Sequence, residues 1–418
     1  MAEIKKADGL MDWLDQRLAV KAFMRVMMTE YWIPKNINFL WAMGVVLVVL
    51  FKILIVSGIF LLMYYKPDIN LAFDSVNYTI MQEVEYGWLW RHMHGVAASA
   101  IFLVIYIHMF TGIYYGSYKK GREMIWLTGM ALFGLFSAEA FSGYMLPWGQ
   151  MSYWAAQVIT NLFGGIPLIG EALVVWIRGD FLVADATLTR FFMLHVLLLP
   201  LAIILVIAIH FYSLRFPHVN NQDSEEIDFD KEAKKYLAGK TKESKVVPFW
   251  PVFLSKDFFV VGVAMTIFFY LVCYHYDFAM DPINFEPANT MKTPAHIYPE
   301  WYFLWSYEVL RGFFFDIGGI AAMDIGLAAF GFANIIFMIL PFLDRNTENV
   351  APAHKRPMFF IWFWVLLVDM IVLTVYGKLP PTGANAWVGF FAALVFILLF
   401  VALPIITKME AKCQGGCK

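Results

Sequence analysis

Long apolar runs separated by short polar stretches dominate the chain. Eight of them, at 39–65, 88–115, 126–146, 188–214, 258–276, 325–343, 358–376 and 387–406, reach the roughly 20 mostly apolar residues that a helix needs to cross hydrocarbon. In lipid every backbone polar group must be satisfied within the segment, so each run predicts a spanning helix, the first to the eighth span. Trp or Tyr stands at many of their ends, where amphipathic rings prefer the headgroup layer. The longest polar stretch carries NNQDSEEIDFDKEAKKYLAGKTKESK and predicts a solvated hinge between two blocks of four spans. The expected architecture is an all-α membrane protein with an N-terminal segment 1–38, a first block 39–214, a polar linker 215–250, a second block 251–407 and a tail 408–418.

Composition agrees: 61% of the 418 residues are hydrophobic and 15% charged, where soluble domains run at about a quarter charged. A net charge of −2 gives no footprint for nucleic acid, but its distribution sets an orientation. Taking alternate loops as alternate sides, one side holds 23 Lys and Arg and the other seven. The positive-inside bias then puts both termini in the cytoplasm, on what is called here the N side, with the other loops on the P side. The charged N-terminus lacks the apolar core of a signal peptide, so the first span is expected to insert without cleavage. That favours a bacterial plasma membrane. The cysteines, Cys273, Cys413 and Cys417, are too few for a disulfide framework, and the tail pair offers only half of a four-ligand metal site.

Candidate chemistry lies in four histidines. His94 and His108 stand 14 residues apart in the second span, and His195 and His210 stand 15 apart in the fourth. Fourteen residues rise about 21 Å and turn the second ring to within about 40° of the first, so one face offers two imidazoles at two depths. Antiparallel packing pairs His94 with His195 near the P side and His108 with His210 near the N side. Facing imidazoles at two levels suit two bis-histidine b-type haems, held non-covalently, in a bundle made by the first four spans. Zinc or copper sites gather three or four ligands closely instead. The extra residue in the fourth span falls near Pro200, where a bulge would realign the ligands. Gly44 and Gly58 in the first span and Gly129 and Gly143 in the third repeat the 14-residue interval, leaving room for a flat macrocycle against the backbone. Arg91 and Arg190 precede the P-side histidines and are candidates for the haem propionates. Lys52 and Glu139, deep in the first and third spans, each need a partner, and Asp369 is a candidate for Lys52.

Five motifs extend this reading: RHMHGVAAS at 91–99, YYGSY at 114–118, GYMLPWGQMSYWAAQVITNL at 143–162, TLTRFFMLH at 187–195 and PEWYFL at 299–304. Across nearly its full length the chain resembles the cytochrome b subunit of quinol:cytochrome c oxidoreductases, the respiratory cytochrome bc complexes, of bacterial type. The resemblance implies a Q-cycle, with quinol oxidised at a P-side site, one electron passed to a Rieske iron–sulfur protein and the other carried through the two haems to quinone at an N-side site. It also implies a c-type cytochrome partner and a homodimeric complex. By the same match Glu300 accepts a quinol proton, Tyr302 and Tyr307 line the P-side pocket, and 149–163 forms a surface helix over it. Lys256 and Asp257 match the family's N-side pair, with Arg215 standing where relatives place another histidine and His218 or Arg215 the candidates to substitute for it. Thr111 replaces an Arg usual in relatives, so the N-side haem is expected to draw a cation from Lys119, Lys120 or Arg122. Ala42 stands where photosynthetic relatives have a cysteine that tethers an extra haem, so no covalent c-type haem is expected.

Overall fold

The computed structural model describes residues 9–277, 280–347 and 349–415. Among the described residues seven helices are long and apolar enough to cross a membrane: Phe39–Leu62, Gly87–Tyr114, Glu123–Met145, Asp185–Leu214, Phe249–Tyr274, Pro357–Lys378 and Ala384–Cys413. They are the first to fifth, seventh and eighth spans. The sixth run differs. Its helix, Ala322–Ile336, has 15 residues, about 22 Å against a hydrocarbon core of about 30 Å. Pro341 has no N–H to donate, and its ring excludes the carbonyl four residues back. That carbonyl, on Phe337, instead accepts the Trp126 indole N–H at 2.7 Å, and the chain resumes as Leu340–Leu343.

The first span packs on the second, the third on the fourth, and the fifth on the second, while the seventh packs on the eighth. One apolar core runs through both blocks, from Leu50, Phe102 and Phe133 to Phe337, Trp362 and Phe400. The loop after the second span meets the segment after the fourth, where Asn220 donates to the Tyr115 carbonyl at 2.8 Å. At the same end a buried charge cluster joins the blocks. Lys119 lies 2.6 Å from Asp344, Arg356 grips Asp344 at 2.8 and 3.0 Å and Glu410 at 2.8 Å, and the Tyr118 hydroxyl donates to Asp344 at 2.6 Å. Removing one member of such a cluster strands a buried charge at a cost of about 3–5 kcal/mol.

Three expectations change here. Lys119 is committed to this cluster, and Arg122 donates to the carbonyls of Pro217 and His218, so neither is a free cation for the N-side haem; Lys120 is exposed. Asp369 is 8% exposed with one carboxylate oxygen unpartnered, whereas Lys52 faces outward, and among the described residues the two form no ion pair. The linker is more than a hinge. Phe229–Leu237 is a helix capped by Asp228, and Val246–Pro248 pairs antiparallel with Trp32–Pro34 of the N-terminal segment. The N-terminal segment itself forms short helices, Leu10–Leu18 and Val20–Met24. Cys273 and Cys413 are exposed free thiols, and Cys417 lies outside the described residues.

Candidate functional site

Each of the four histidines faces one of the four glycines across a helix pair. A Cβ added at Gly58 would stand 3.3 Å from His94 Cε1, at Gly129 3.3 Å from His210 Cε1 and at Gly44 3.8 Å from His108 Cε1, while at Gly143 it would collide with the His195 ring. The first span thus supplies glycines to the histidines of the second, and the third span to those of the fourth. Gly58 and Gly143 thus stand with His94 and His195, and Gly44 and Gly129 with His108 and His210. The fourth span reaches this register through a π-helical turn at Leu194–Leu198 that contains His195. One wide turn absorbs one residue, so 15 residues there do the work of 14 in a regular helix.

Sequence reasoning missed a second feature beside three of the four glycines. Ser57, Thr128 and Ser142 each immediately precede one. The Ser57 hydroxyl lies 2.9 Å from His94 Nδ1, the Thr128 hydroxyl 2.9 Å from His210 Nδ1 and the Ser142 hydroxyl 3.5 Å from His195 Nδ1. Each hydroxyl donates its one proton to its own helix: Ser57 to the Ile53 carbonyl at 2.6 Å, Thr128 to Met124 at 2.7 Å and Ser142 to Glu139 at 2.9 Å. At Ser57 and Thr128 the hydroxyl is then left to accept from the imidazole, an arrangement that puts the ring proton on Nδ1 and leaves Nε2 with a free lone pair; at His195 the nearer acceptor is the Glu139 carbonyl, 3.0 Å from Nδ1. That is the tautomer a metal-ligating histidine needs. Met43 precedes Gly44, and among the described residues His108 has no hydrogen-bond partner for its ring. The serine or threonine before a glycine was the available signal.

The fit to haem can be tested on these rings. His94 and His195 have centroids 6.2 Å apart at an interplanar angle of 78°. Two imidazole–metal bonds of about 2 Å on opposite sides of one ion separate the ring centres by roughly 6 Å. Among the described residues no three or more His, Cys, Asp and Glu gather as a metal site, and an axial pair does not require such a cluster, since a porphyrin supplies the other ligands. Arg91 lies partly buried with its guanidinium folded beside Gly95, 3.1 Å from a Cβ built there. Arg190 is exposed, turned onto Gly179 and bonded to the Trp176 carbonyl. Neither is paired with a carboxylate among the described residues. The Thr111 hydroxyl is spent on the Ile107 carbonyl at 2.7 Å.

On the P side, the segment at Glu300 is clamped to the helix that carries His94. Trp301 donates to the Ser99 hydroxyl at 2.7 Å, the Tyr302 carbonyl accepts from Tyr106 at 2.6 Å, and the Tyr302 ring stacks on Phe102 at 4.0 Å. Tyr307 donates to the Ile297 carbonyl at 3.0 Å, with Arg311 over its ring. Burial pushes the Glu300 carboxyl up to about 7; the Tyr144 hydroxyl and Lys378 pull it down and Asp281 pushes it further up. Tyr144 and Asp281, unassigned from sequence, are thus its polar neighbours. The surface helix runs Gln150–Leu162, and its first residue holds the loop after the fifth span through Gln150 N–H to Glu286 and Asn289 N–H to Gln150, 2.9 and 2.8 Å. A cavity of about 470 Å³ opens there, lined by Gln150 and 286–290 with Lys292 rather than by Glu300.

On the N side, Lys256 and Asp257 line a cavity of about 340 Å³ together with Asn38, Phe39, Ala42 and Phe253. Asp257 is 5% exposed and one of its carboxylate oxygens is buried without a partner. Arg215 and His218 do not line that cavity. Arg215 sits 4.1 Å over the Tyr31 ring, and His218 stacks between Phe229 and Tyr31. Burial, reinforced by Arg122 and Arg215, lowers the His218 pKa. Tyr31 packs in one apolar cluster with Phe249 and Phe253, and Phe253 also lines the Asp257 cavity, so this cluster touches both halves of the expected N-side set.

Comparison with known proteins gives a consistent answer. Residues 28–217 match the family described as Cytochrome b/b6/petB and residues 287–408 the family described as Cytochrome b(C-terminal)/b6/petD. The chain is 40% identical to cytochrome b of Rickettsia conorii over 97% of its length and 96% of that protein, and 39% identical to cytochrome b of Rhodobacter capsulatus over 96% and 92%. Among solved structures it superposes on a chain of a hyperthermophilic respiratory Complex III with a TM-score of 0.86 and 38% identity, covering 96% of this chain and all of that one. The chain belongs to the cytochrome b/b6 family, as the electron-transfer subunit of a quinol:cytochrome c oxidoreductase.

Proposed function

We propose that this subunit oxidises quinol at a P-side site beside Glu300 and reduces quinone at an N-side site beside Asp257, in a Q-cycle that moves protons across a bacterial plasma membrane with both termini cytoplasmic. Two b-type haems join the sites, one held by His94 and His195 and the other by His108 and His210; when bound, they supply one-electron conduction through the bilayer. The observation that carries the reading is the matched set of four histidines, each set against a glycine of the neighbouring span at two depths. Arg91 offers a cation to the P-side propionates, with Arg190 at the same level. The sixth run, helix plus break, makes up the eighth crossing. A Rieske iron–sulfur protein and a c-type cytochrome take the electrons that leave on the P side, in a homodimeric complex.

The chain's own part in the P-side chemistry is to accept a proton. Glu300 sits in a partly dry site with its pKa at about 7, close to working pH, where a carboxylate both takes and releases a proton readily. Its backbone follows Pro299 and is fixed through Trp301 and Tyr302 to the helix bearing His94, so the base is held against the helix that would carry the P-side haem. At the N side Asp257 and Lys256 are placed to deliver protons to reduced quinone.

The test is Glu300→Gln in the assembled complex. Below about pH 7 the native carboxyl is protonated and cannot accept, so quinol oxidation should rise with pH through that value. The variant should keep its haem spectrum, lose that rise and fall in turnover by roughly 100-fold, the lower end of general-base contributions. Native turnover and an unchanged pH profile would remove Glu300 from the mechanism.

A further inference from the structure

Three of the four histidines have beside the ring the backbone of the residue four positions before the glycine: Leu54 at His94, Ile125 at His210 and Glu139 at His195, where the carbonyl lies within hydrogen-bond distance. At His195 there is an additional partner. The Glu139 backbone oxygen lies 3.0 Å from Nδ1 and a Glu139 carboxylate oxygen 3.1 Å from the same nitrogen. The other carboxylate oxygen is buried without a partner, so among the described residues the imidazole is the only polar group this side chain meets. Leu54 and Ile125 place nothing comparable beside their rings.

We propose that Glu139 is a positioning residue that acts through His195, lowering the reduction potential of the P-side haem relative to what a carbonyl alone would set. A carboxylate that shares the Nδ1 proton makes the imidazole a stronger donor to iron and favours the ferric state. The effect is confined to one level of the bundle, because His210 has a hydroxyl and a carbonyl but no carboxylate. A lower potential at the entry haem than at the exit haem drives electrons from the P side to the N side. The inference rests on the haem assignment proposed above.

The experiment is a potentiometric titration of the two b haems in the intact complex, with His108→Ala identifying the spectrum of the P-side haem by leaving it alone. Glu139→Gln keeps the shape and an acceptor oxygen but cannot form a carboxylate, and should raise the P-side midpoint while leaving the N-side midpoint in place. Ile125→Glu, at the equivalent position before Gly129, should lower the N-side midpoint and leave the P-side one. An unmoved P-side midpoint in Glu139→Gln with both haems bound would overturn the inference and assign the Nδ1 proton to the backbone carbonyl. Equal shifts of both haems would overturn it too, reducing Glu139 to a distant charge. If Glu139→Gln fails to retain the P-side haem, Ile125→Glu decides, since an unmoved N-side midpoint there counts against the mechanism. A native complex without b haems would instead refute the function proposed above.

Discussion

The two histidine levels are built from the same parts but are not equally finished. At the P-side level both rings are held on Nδ1, His94 by Ser57 and His195 by Glu139 with Ser142 beyond. At the N-side level only His210 is held, by Thr128, and His108 faces Gly44 across a looser contact with no hydroxyl beside it. The quinone sites differ in the same sense. The Glu300 segment is fixed to the second span by two bonds and a stack, whereas Asp257 opens on a cavity and Arg215 and His218 pack against Tyr31 instead of lining it. On the function proposed above, the end that binds quinol and divides its electrons is the more tightly bonded one, and the end that receives them is more open. A tight ring orientation fixes both ligand geometry and ligand strength, so tuning is expected to be concentrated where the anchors are.

The glycine positions break or sharpen this contrast most strongly. Gly143→Val places branched carbon where the His195 ring stands and should abolish P-side haem binding, leaving one b haem per subunit. Gly58→Ala and Gly129→Ala, at 3.3 Å, should weaken retention at their own levels, and Gly44→Ala, at an ordinary 3.8 Å contact, should be the mildest. Haem content by pyridine haemochrome after purification ranks them, and equal losses at all four would show that the levels are alike. A smaller effect is expected from the hydroxyls. Ser57→Ala should loosen the P-side haem by about 10-fold, in line with losses of groups that orient a metal ligand. Met43→Ser, which supplies the hydroxyl absent before Gly44, should leave affinity unchanged or tighten it on the N side. Haem loss to apomyoglobin measures both.

How far the molecule was legible in its sequence follows from what kind of signal each part leaves. Helical spacing is a one-dimensional property, so His94, His108, His195, His210 and their glycines could be set in register from the chain alone, and Pro200 marked the region where the fourth span widens. The Ser57, Thr128 and Ser142 anchors were equally local, one residue before each glycine, but a hydroxyl in an apolar helix usually bonds its own backbone, as these also do. Partners between spans left no such trace. Lys119 looked like a free cation because Asp344 and Arg356 lie more than 200 residues on, and nothing in the spacing of Arg215 and His218 tells that they pack against Tyr31 rather than beside Asp257. The sixth run hid its break because Leu-Pro-Phe-Leu reads as continuous apolar sequence, although Pro341 removes a ladder bond.

The most direct test of the two-level account is an optical redox titration of the native complex and of His108→Ala, each with pyridine haemochrome quantitation. The account predicts two b haems and no c-type haem on this subunit in the native protein, titrating in two steps, and one b haem in the variant with the P-side step intact. Loss of both haems or of neither in His108→Ala, or a native subunit with a single b haem, would contradict it.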